Sequence, residues 1–458
     1  MRGLAFFLVF VSSLPFIFVS PFYGVLIWYV FSIGNFHTLI WGPLATLNYA
    51  FVVAVLTCLS WLFSRTEKKQ LPMNPLVVLT LLFAVWITIT SFFALSPNQA
   101  DVWAKWSTVE KILFMCLVGY ALTTTQERVN QLIWTVVLTL GVWGVKGALL
   151  GILRGGDIHG PDQGPLSDRN DFGLGLVLML PLLFYQWHLA ENRLLRRGLM
   201  LMGFLVALAV FLTYSRGALL GACGMGLMLW FRSRAKFATG FLIVAVGLSV
   251  YYFAPSAWFT RMETIGSYEE DSSAMSRINV WQVSLRIAEL HPITGGGFRA
   301  TFAPTVVNEM LRGTSIDRLT KPRAAHSIYF DALSEHGWIG LALFLSILGY
   351  SWYNCSWLIR RSRDKPDLAW ANLLGRMGHA VLIGYAIAGA FASQAYLDEY
   401  WCMIFIFDAA RRLVARQVAP QPGAFAATRM RPHGLQGSTA SAGLAGPVGR
   451  LGHLKGPS

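Results

Sequence analysis

Apolar stretches of about 20 residues recur along most of this chain, separated by short polar breaks. They lie at about 4–34 (interrupted by Pro15 and Pro21), 45–64, 73–95, 109–124, 130–152, 170–189, 197–214, 216–232, 236–254, 337–359, 373–395 and 400–415. About 20 apolar residues in a helix cross about 30 Å of hydrocarbon. A helix also satisfies its own backbone inside lipid, where water cannot. The pattern therefore predicts an all-α, polytopic transmembrane helical bundle of about 12 spans, counting 4–34 as one broken crossing; two complete crossings there would instead place Met1 and Arg2 on the outer side. The polar stretch 255–336 interrupts this rhythm. Its length, its aromatic residues and an amphipathic pattern over 278–290 predict a large, partly helical loop rather than a tether. The expected organisation is N-terminal transmembrane helices over 1–254, the large loop over 255–336, C-terminal transmembrane helices over 337–416 and a disordered tail over 417–458.

Composition supports the same class. Hydrophobic residues make up 55% of the 458 and charged residues 13%, about half the usual share for a soluble domain. The net charge of +14 does not imply a nucleic-acid partner, because Lys and Arg form short clusters rather than one basic face. These fall at Arg65, Lys68 and Lys69, at 193–197, 232–236 and 360–365, and at Arg411 and Arg412. The positive-inside rule places all five in the cytoplasm, which is consistent because an even number of spans separates each from the next. With 12 spans both termini are cytoplasmic, and the first apolar segment is a retained span without a cleavage site. The tail after 416 has no acidic residue and offers Arg429, Arg431 and Lys455 to anionic membrane lipids. The five cysteines lie in or beside apolar segments, without metal spacing.

On the opposite side lie three informative stretches, 96–108, 153–169 and 255–336. Ionisable residues at a bilayer are costly and are functional candidates by default. Arg216, in Thr213-Tyr214-Ser215-Arg216-Gly217-Ala218, sits at the outer end of a tight helical hairpin. It either snorkels to the interface or meets a ligand that Gly217 lets approach. His326, in Ala324-Ala325-His326-Ser327-Ile328-Tyr329-Phe330, stands where the large loop re-enters the membrane. Its side chain suits proton transfer near neutrality, although a lone histidine is more often structural. His336 is a weaker rival, and Glu335 lies on roughly the same half of a helix as His326 without touching it. Further outer cations are Lys105, Lys111, Arg154, Arg169, Arg277 and Arg299. Several cations on one face suit an anionic ligand, and a phosphate suits arginine best. The turn over 160–173 reads as a helix cap by Asn170 or Asp168. There is no HExxH, Cys/His metal pattern, Walker loop, GxSxG or nucleotide-sugar Asp-x-Asp signature. The loop at about 35–44 has no carboxylate for a metal-bound acid. The acidic run Glu269-Glu270-Asp271 reads as a solvated face.

These residues together resemble the O-antigen ligase/polymerase superfamily of bacterial membrane proteins, and more narrowly the O-glycosylation ligases associated with exosortase A systems. The resemblance runs from about Phe36 to Tyr400. It rests on Phe36-His37-Thr38-Leu39-Ile40-Trp41-Gly42, Gly144-Val145-Lys146-Gly147, Gly160-Pro161 through Asn170, and Ser215-Arg216-Gly217-Ala218. It continues with Arg261-Met262-Glu263-Thr264-Ile265, Ser273-Ala274-Met275-Ser276-Arg277 leading to Trp281, and Gly295-Gly296-Gly297-Phe298. The last pieces are His326-Ser327-Ile328-Tyr329-Phe330 and Glu335-His336-Gly337. It implies a glycosyltransferase of the bacterial inner membrane, with its site facing the periplasm, that needs no metal, nucleotide or other cofactor. The donor would be an undecaprenyl diphosphate-linked glycan, and the acceptor a hydroxyl of a protein or lipid. His326 would be the general base of an inverting transfer, and Arg216 and Arg277 would hold the diphosphate. Arg154, Arg169 and Lys111 extend that diphosphate site, with Asn170 and Glu335 in support. Asp168 and Arg169 depart from the family pattern, in which a second Asn or an acidic residue is expected, so the role of Arg169 is less sharply implied. A polymerase of lipid-linked repeat units is the near alternative. A lipid-linked glycan transporter is the distant one, disfavoured because no internal repeat is visible.

Overall fold

Proline decides how the chain begins. Helix α1 (Arg2–Val19) ends before an extended Ser20, and Pro21 opens α2 (Pro21–Gly34), the position where its missing N–H costs nothing. Phe31 packs edge-on against Phe6 and Phe10, while Ile17 lies against Gly24. The two helices are therefore antiparallel. Residues 4–34 form a hairpin rather than the single broken crossing expected, and Gly3 lies beside Trp41 and Leu44 at the far end of α1. The reason is local: the break is a full reversal, because an extended residue followed by proline cannot continue the first helix axis.

This computed structural model describes residues 2–154, 156–233, 235–237, 240–241, 272–314 and 321–418, without the side chains of 272–274. The described residues are helical, with no strand. The protein is an all-α, multi-pass membrane protein, and among the described residues seven helices are long and apolar enough to cross a bilayer. The chain continues through α3 (Tyr49–Phe63), α4 (Pro75–Phe92), α5 (Gln99–Leu122), α6 (Gln126–Arg154), α7 (Arg169–Leu189), α8 (Arg193–Leu212) and α9 (Arg216–Arg232). Next come α10 (Ser272–Leu290), the short α11 (Pro304–Met310), α12 (Ile328–Arg361), α13 (Ala369–Ala388) and α14 (Asp398–Val418). The expected span at 236–254 falls almost wholly outside the described residues, as do 261–265, 269–271 and the tail beyond 418.

At the end that carries the basic clusters, Asp408 ties four helices together. It accepts from Tyr120 (2.6 Å), Asn74 (2.7 Å) and Asn354 (2.9 Å), with Arg411 3.8 Å away. A buried carboxylate is tolerable when its lone pairs are filled in this way.

At the other end a second joint forms. Helix α12 is broken at Gly337, whose φ of 68° is left-handed. The segment 292–299 fills the break. Gly296 and Gly297 donate to the carbonyls of Ser334 (2.7 Å) and Glu335 (2.9 Å), and Trp338 donates back to Pro292 (2.9 Å). The Glu335 carboxylate accepts from the Arg299 N–H (3.2 Å) and the Tyr396 hydroxyl (2.8 Å). A Cβ on Gly337 would meet the Ile293 carbonyl oxygen at 2.3 Å, so glycine is required for the close approach as well as for φ.

Candidate functional site

Helices α7, α9 and α12 each run from the end where Asn170, Arg216 and His326 lie to an end flanked by a basic cluster. At the former end their N-termini converge. Asp168 caps α7 by accepting from the Asn170 N–H at 2.7 Å. The Asn170 side chain accepts from the Ser215 hydroxyl at 2.9 Å, and that hydroxyl oxygen in turn caps α9 by accepting from Ala218 at 3.2 Å. One polar chain thus fixes the starts of two helices and sets Arg216 as the first residue of α9. Such N-termini present unpaired N–H groups and a partial positive charge, which favours an anion.

His326 is held just before the third N-terminus. Its φ is 49°, an uncommon conformation for a residue with a side chain. The surroundings impose it. The His326 N–H donates to Ser393 Oγ at 2.8 Å, and that hydroxyl donates to Asp331 at 3.0 Å. On the other side Trp281 donates to the Ala325 carbonyl at 2.8 Å and stacks on Phe330, with centroids 5.1 Å apart. Arg323 is set by its backbone bond to Thr301 (3.0 Å) and by donation to Ser276.

These elements enclose a cavity of about 180 Å³. From α7 it takes Asp168, Arg169 and Asn170, and from the start of α9 Tyr214 and Arg216. The loop side contributes Ser276, Arg277, Arg323 and His326. Four half-buried guanidinium groups and one imidazole therefore share a wall. Arg169 also pairs with Asp157 at 3.0 Å. Burial lowers the His326 pKa first, and Arg277 and Arg323 push it further, to about 4. At neutral pH the imidazole is uncharged, with a lone pair available.

Two stretches of the chain match known families once this geometry is in view. Residues 201–345 match a family model described as O-Antigen ligase, and residues 1–174 match a family of unknown function. The chain therefore carries an O-antigen ligase domain over residues 201–345. That domain supports a relation to membrane glycan ligases and polymerases, in a multi-pass membrane protein. No curated protein gave a match.

The cavity brings together five residues singled out in the sequence: His326, Arg216, Arg277, Arg169 and Asn170. Three others lie elsewhere. Arg154 is exposed at the end of α6, and Lys111 lines a different, larger cavity. Glu335 belongs to the joint around Gly337. His336 is fully buried, with Nδ1 2.6 Å from the Thr90 hydroxyl and its ring edge-on to Phe298, a packing role. Sequence reasoning missed Asp168 as a lining residue, along with Tyr214, Ser276 and Arg323. Proximity in sequence was the available signal, since each lies within three residues of Arg216, Arg277, His326 or Asn170.

Proposed function

We propose that the protein transfers a glycan from an undecaprenyl diphosphate carrier to a hydroxyl of an acceptor, at the periplasmic face of the inner membrane. The observation that carries this reading is the cavity in which an uncharged His326 faces Arg169, Arg216, Arg277 and Arg323. The arginines and the converging helix N-termini suit a diphosphate. Basic clusters at the opposite helix ends favour a periplasmic site. As the acceptor oxygen bonds to the anomeric carbon from the face opposite the leaving group, the hydroxyl proton passes to His326. The bond from that carbon to the phosphate oxygen breaks, and its electron pair leaves with the diphosphate, inverting the anomeric centre. Fixed cations stabilise the charge that develops there.

The bound substrate also tunes the base. The diphosphate charge offsets the repulsion by which Arg277 and Arg323 depress His326, so the imidazole becomes a stronger base when the donor is in place. Purified protein in lipid nanodiscs, given a lipid-linked glycan and an acceptor, tests the reading. His326→Ala and Arg216→Ala should each abolish transfer while inserting at the wild-type level. Full activity in His326→Ala would remove the general base from the mechanism.

A further inference from the structure

Helix α12 carries an aromatic stripe near its basic end. Tyr350, Tyr353 and Trp357 are three and four residues apart, so they share one side of the helix. Arg411, from α14, lies over all three, its guanidinium 5.7, 5.6 and 5.4 Å from their ring centroids. Arg360 lies 6.0 Å from the Tyr353 centroid, and Arg361 lies 5.9 Å from that of Trp357. Three cations therefore share one aromatic floor, which attracts and orients each guanidinium.

The positive charge of this cluster is not balanced within the chain. Among the described residues, neither Arg360 nor Arg361 forms an ion pair with a carboxylate. Arg411 donates to the Tyr350 hydroxyl at 2.5 Å and stands 3.8 Å from Asp408. Asp408, already filled by Tyr120, Asn74 and Asn354, offsets one of the three charges at most. Asp364 and Asp367, beyond the helix end, are balanced in number by Arg363 and Lys365. The Arg411 Nε–H is buried without an acceptor, whereas a buried donor is normally paired. Snorkelling alone would leave these side chains free in the headgroup layer, but here the rings and the Tyr350 hydroxyl fix them in one place.

The cluster also lies at headgroup depth. Trp338, 51% exposed, opens the unbroken part of α12 just after Gly337. From there Tyr353 is about 22 Å along the axis and Arg360 about 33 Å, at 1.5 Å per residue, against about 30 Å of hydrocarbon. Leu345, Trp352 and Tyr353 along this length are large exposed side chains among the described residues. In a span that enters the bilayer at Trp338, they face acyl chains and the arginines reach the phosphates of the cytoplasmic leaflet, the side on which basic clusters belong.

We infer that Tyr350, Tyr353, Trp357, Arg360, Arg361 and Arg411 bind one anionic phospholipid of the cytoplasmic leaflet. Its phosphate lies among the guanidinium groups, whose paired N–H donors suit phosphate oxygens, and its acyl chains run toward Leu345. Charge complementarity selects the occupant. Anionic lipids of that leaflet are drawn to juxtamembrane cations, whereas a zwitterionic headgroup would set its own ammonium among three arginines. A lipid held there joins α12 to α14 beside Asp408, at the helix end opposite the arginine-lined cavity. The site stands independently of the transferase reading.

The test is native mass spectrometry of the full chain released from detergent, titrated with phosphatidylglycerol or with phosphatidylcholine of the same acyl chains. The first phosphatidylglycerol should bind at least about tenfold tighter than the first phosphatidylcholine. Arg360→Gln/Arg361→Gln should weaken phosphatidylglycerol binding at least about fivefold, while Arg193→Gln/Arg197→Gln, which removes the same charge from exposed positions on α8, should change it less than about twofold. Equal affinity for the two lipids would overturn the inference. So would equal losses in the two double variants, which would mean a diffuse attraction between basic residues and anionic lipid. Displacement of the lipid by inorganic phosphate at millimolar concentration would assign the cluster to a soluble anion instead. A second measurement needs no variant. Phosphatidylglycerol with a diazirine on its headgroup should label wild-type peptides covering 350–361 several-fold more than those covering 193–197, and equal labelling overturns the site.

Discussion

The protonation of His326 yields the sharpest quantitative prediction. An ordinary histidine titrates at 6.5, and burial with Arg277 and Arg323 brings this one to about 4. As the proposed general base it would act in its neutral form, so activity should be present above the pKa and lost as pH falls through it. For the free enzyme, the acid limb of kcat/KM should lie near pH 4 rather than 6.5, leaving the rate nearly flat from pH 5.5 to 7. The depression is about 2.5 pH units, and burial, Arg277 and Arg323 contribute in decreasing order. Arg323 is the smaller of the two arginine contributions, so Arg323→Gln should raise the acid limb modestly. Arg277→Gln should raise it further. With the donor bound, the diphosphate works in the opposite sense to the arginines, so the acid limb of kcat should lie above that of kcat/KM. The assay is transfer in nanodiscs from pH 3.5 to 8, with protein integrity checked at each end. An acid limb of kcat/KM at 6.5 or higher, or one unmoved in both arginine variants, would refute the electrostatic account of the site.

Other consequences can be checked separately. Arg216→Lys keeps the charge but loses the two-pronged geometry that a phosphate prefers, and transfer should fall by about 10- to 100-fold with normal insertion. Asn170→Ala removes the bond to Ser215 that joins the starts of α7 and α9. It should cost about 1 kcal/mol, read as a Tm lowered by a few degrees, and reduce kcat/KM more than the Tm shift alone would. Gly337→Ala should sharply reduce the yield of monodisperse protein in detergent, because the new Cβ meets a carbonyl oxygen at 2.3 Å and φ is left-handed there. Gly349→Ala on the same helix has open space around it and should be neutral. Asp408→Leu strands three donors at once and should destabilise by about 3–5 kcal/mol, seen as a loss of thermostability.

Much of this was legible before the structure, for identifiable reasons. Apolar length alone marks helices such as α4, α6, α7 and α8, since lipid admits no competing backbone arrangement. Arg216 and His326 stood out because an ionisable group beside an apolar run is costly. The meeting of Asn170, Arg216, Arg277 and His326 could not be read from periodicity. It depends on which helix ends become neighbours, and that is set by contacts such as Asn170–Ser215 and Ser393–His326, each between residues far apart in sequence. The same limit separated Lys111 from the arginines. It lies on the same side in sequence but on α5, facing α3. The sequence left one broken crossing and two crossings both open for residues 4–34, because a proline break has the same sequence signature whether the helix kinks or reverses. The Gly-Gly-Gly run and the Glu-His-Gly motif appeared as two unrelated signals, yet they form the two halves of one joint.

That joint bears on how such proteins can be recombined. Its partners come from both matched stretches: Leu95 donates to the Gly296 carbonyl at 2.8 Å, and Thr90 bonds His336. Both lie within 1–174, whereas Gly296 and His336 lie within 201–345. The small cavity is divided in the same way, with Asp168, Arg169 and Asn170 from the first stretch and its other lining residues from the second. Neither stretch is therefore a portable module. A chimera that joins one homologue's first half to another's second half must match the two sides of the Gly337 seam before it can assemble either pocket, and exchanges that carry both sides of that seam together, or leave both untouched, are the ones expected to yield working hybrids.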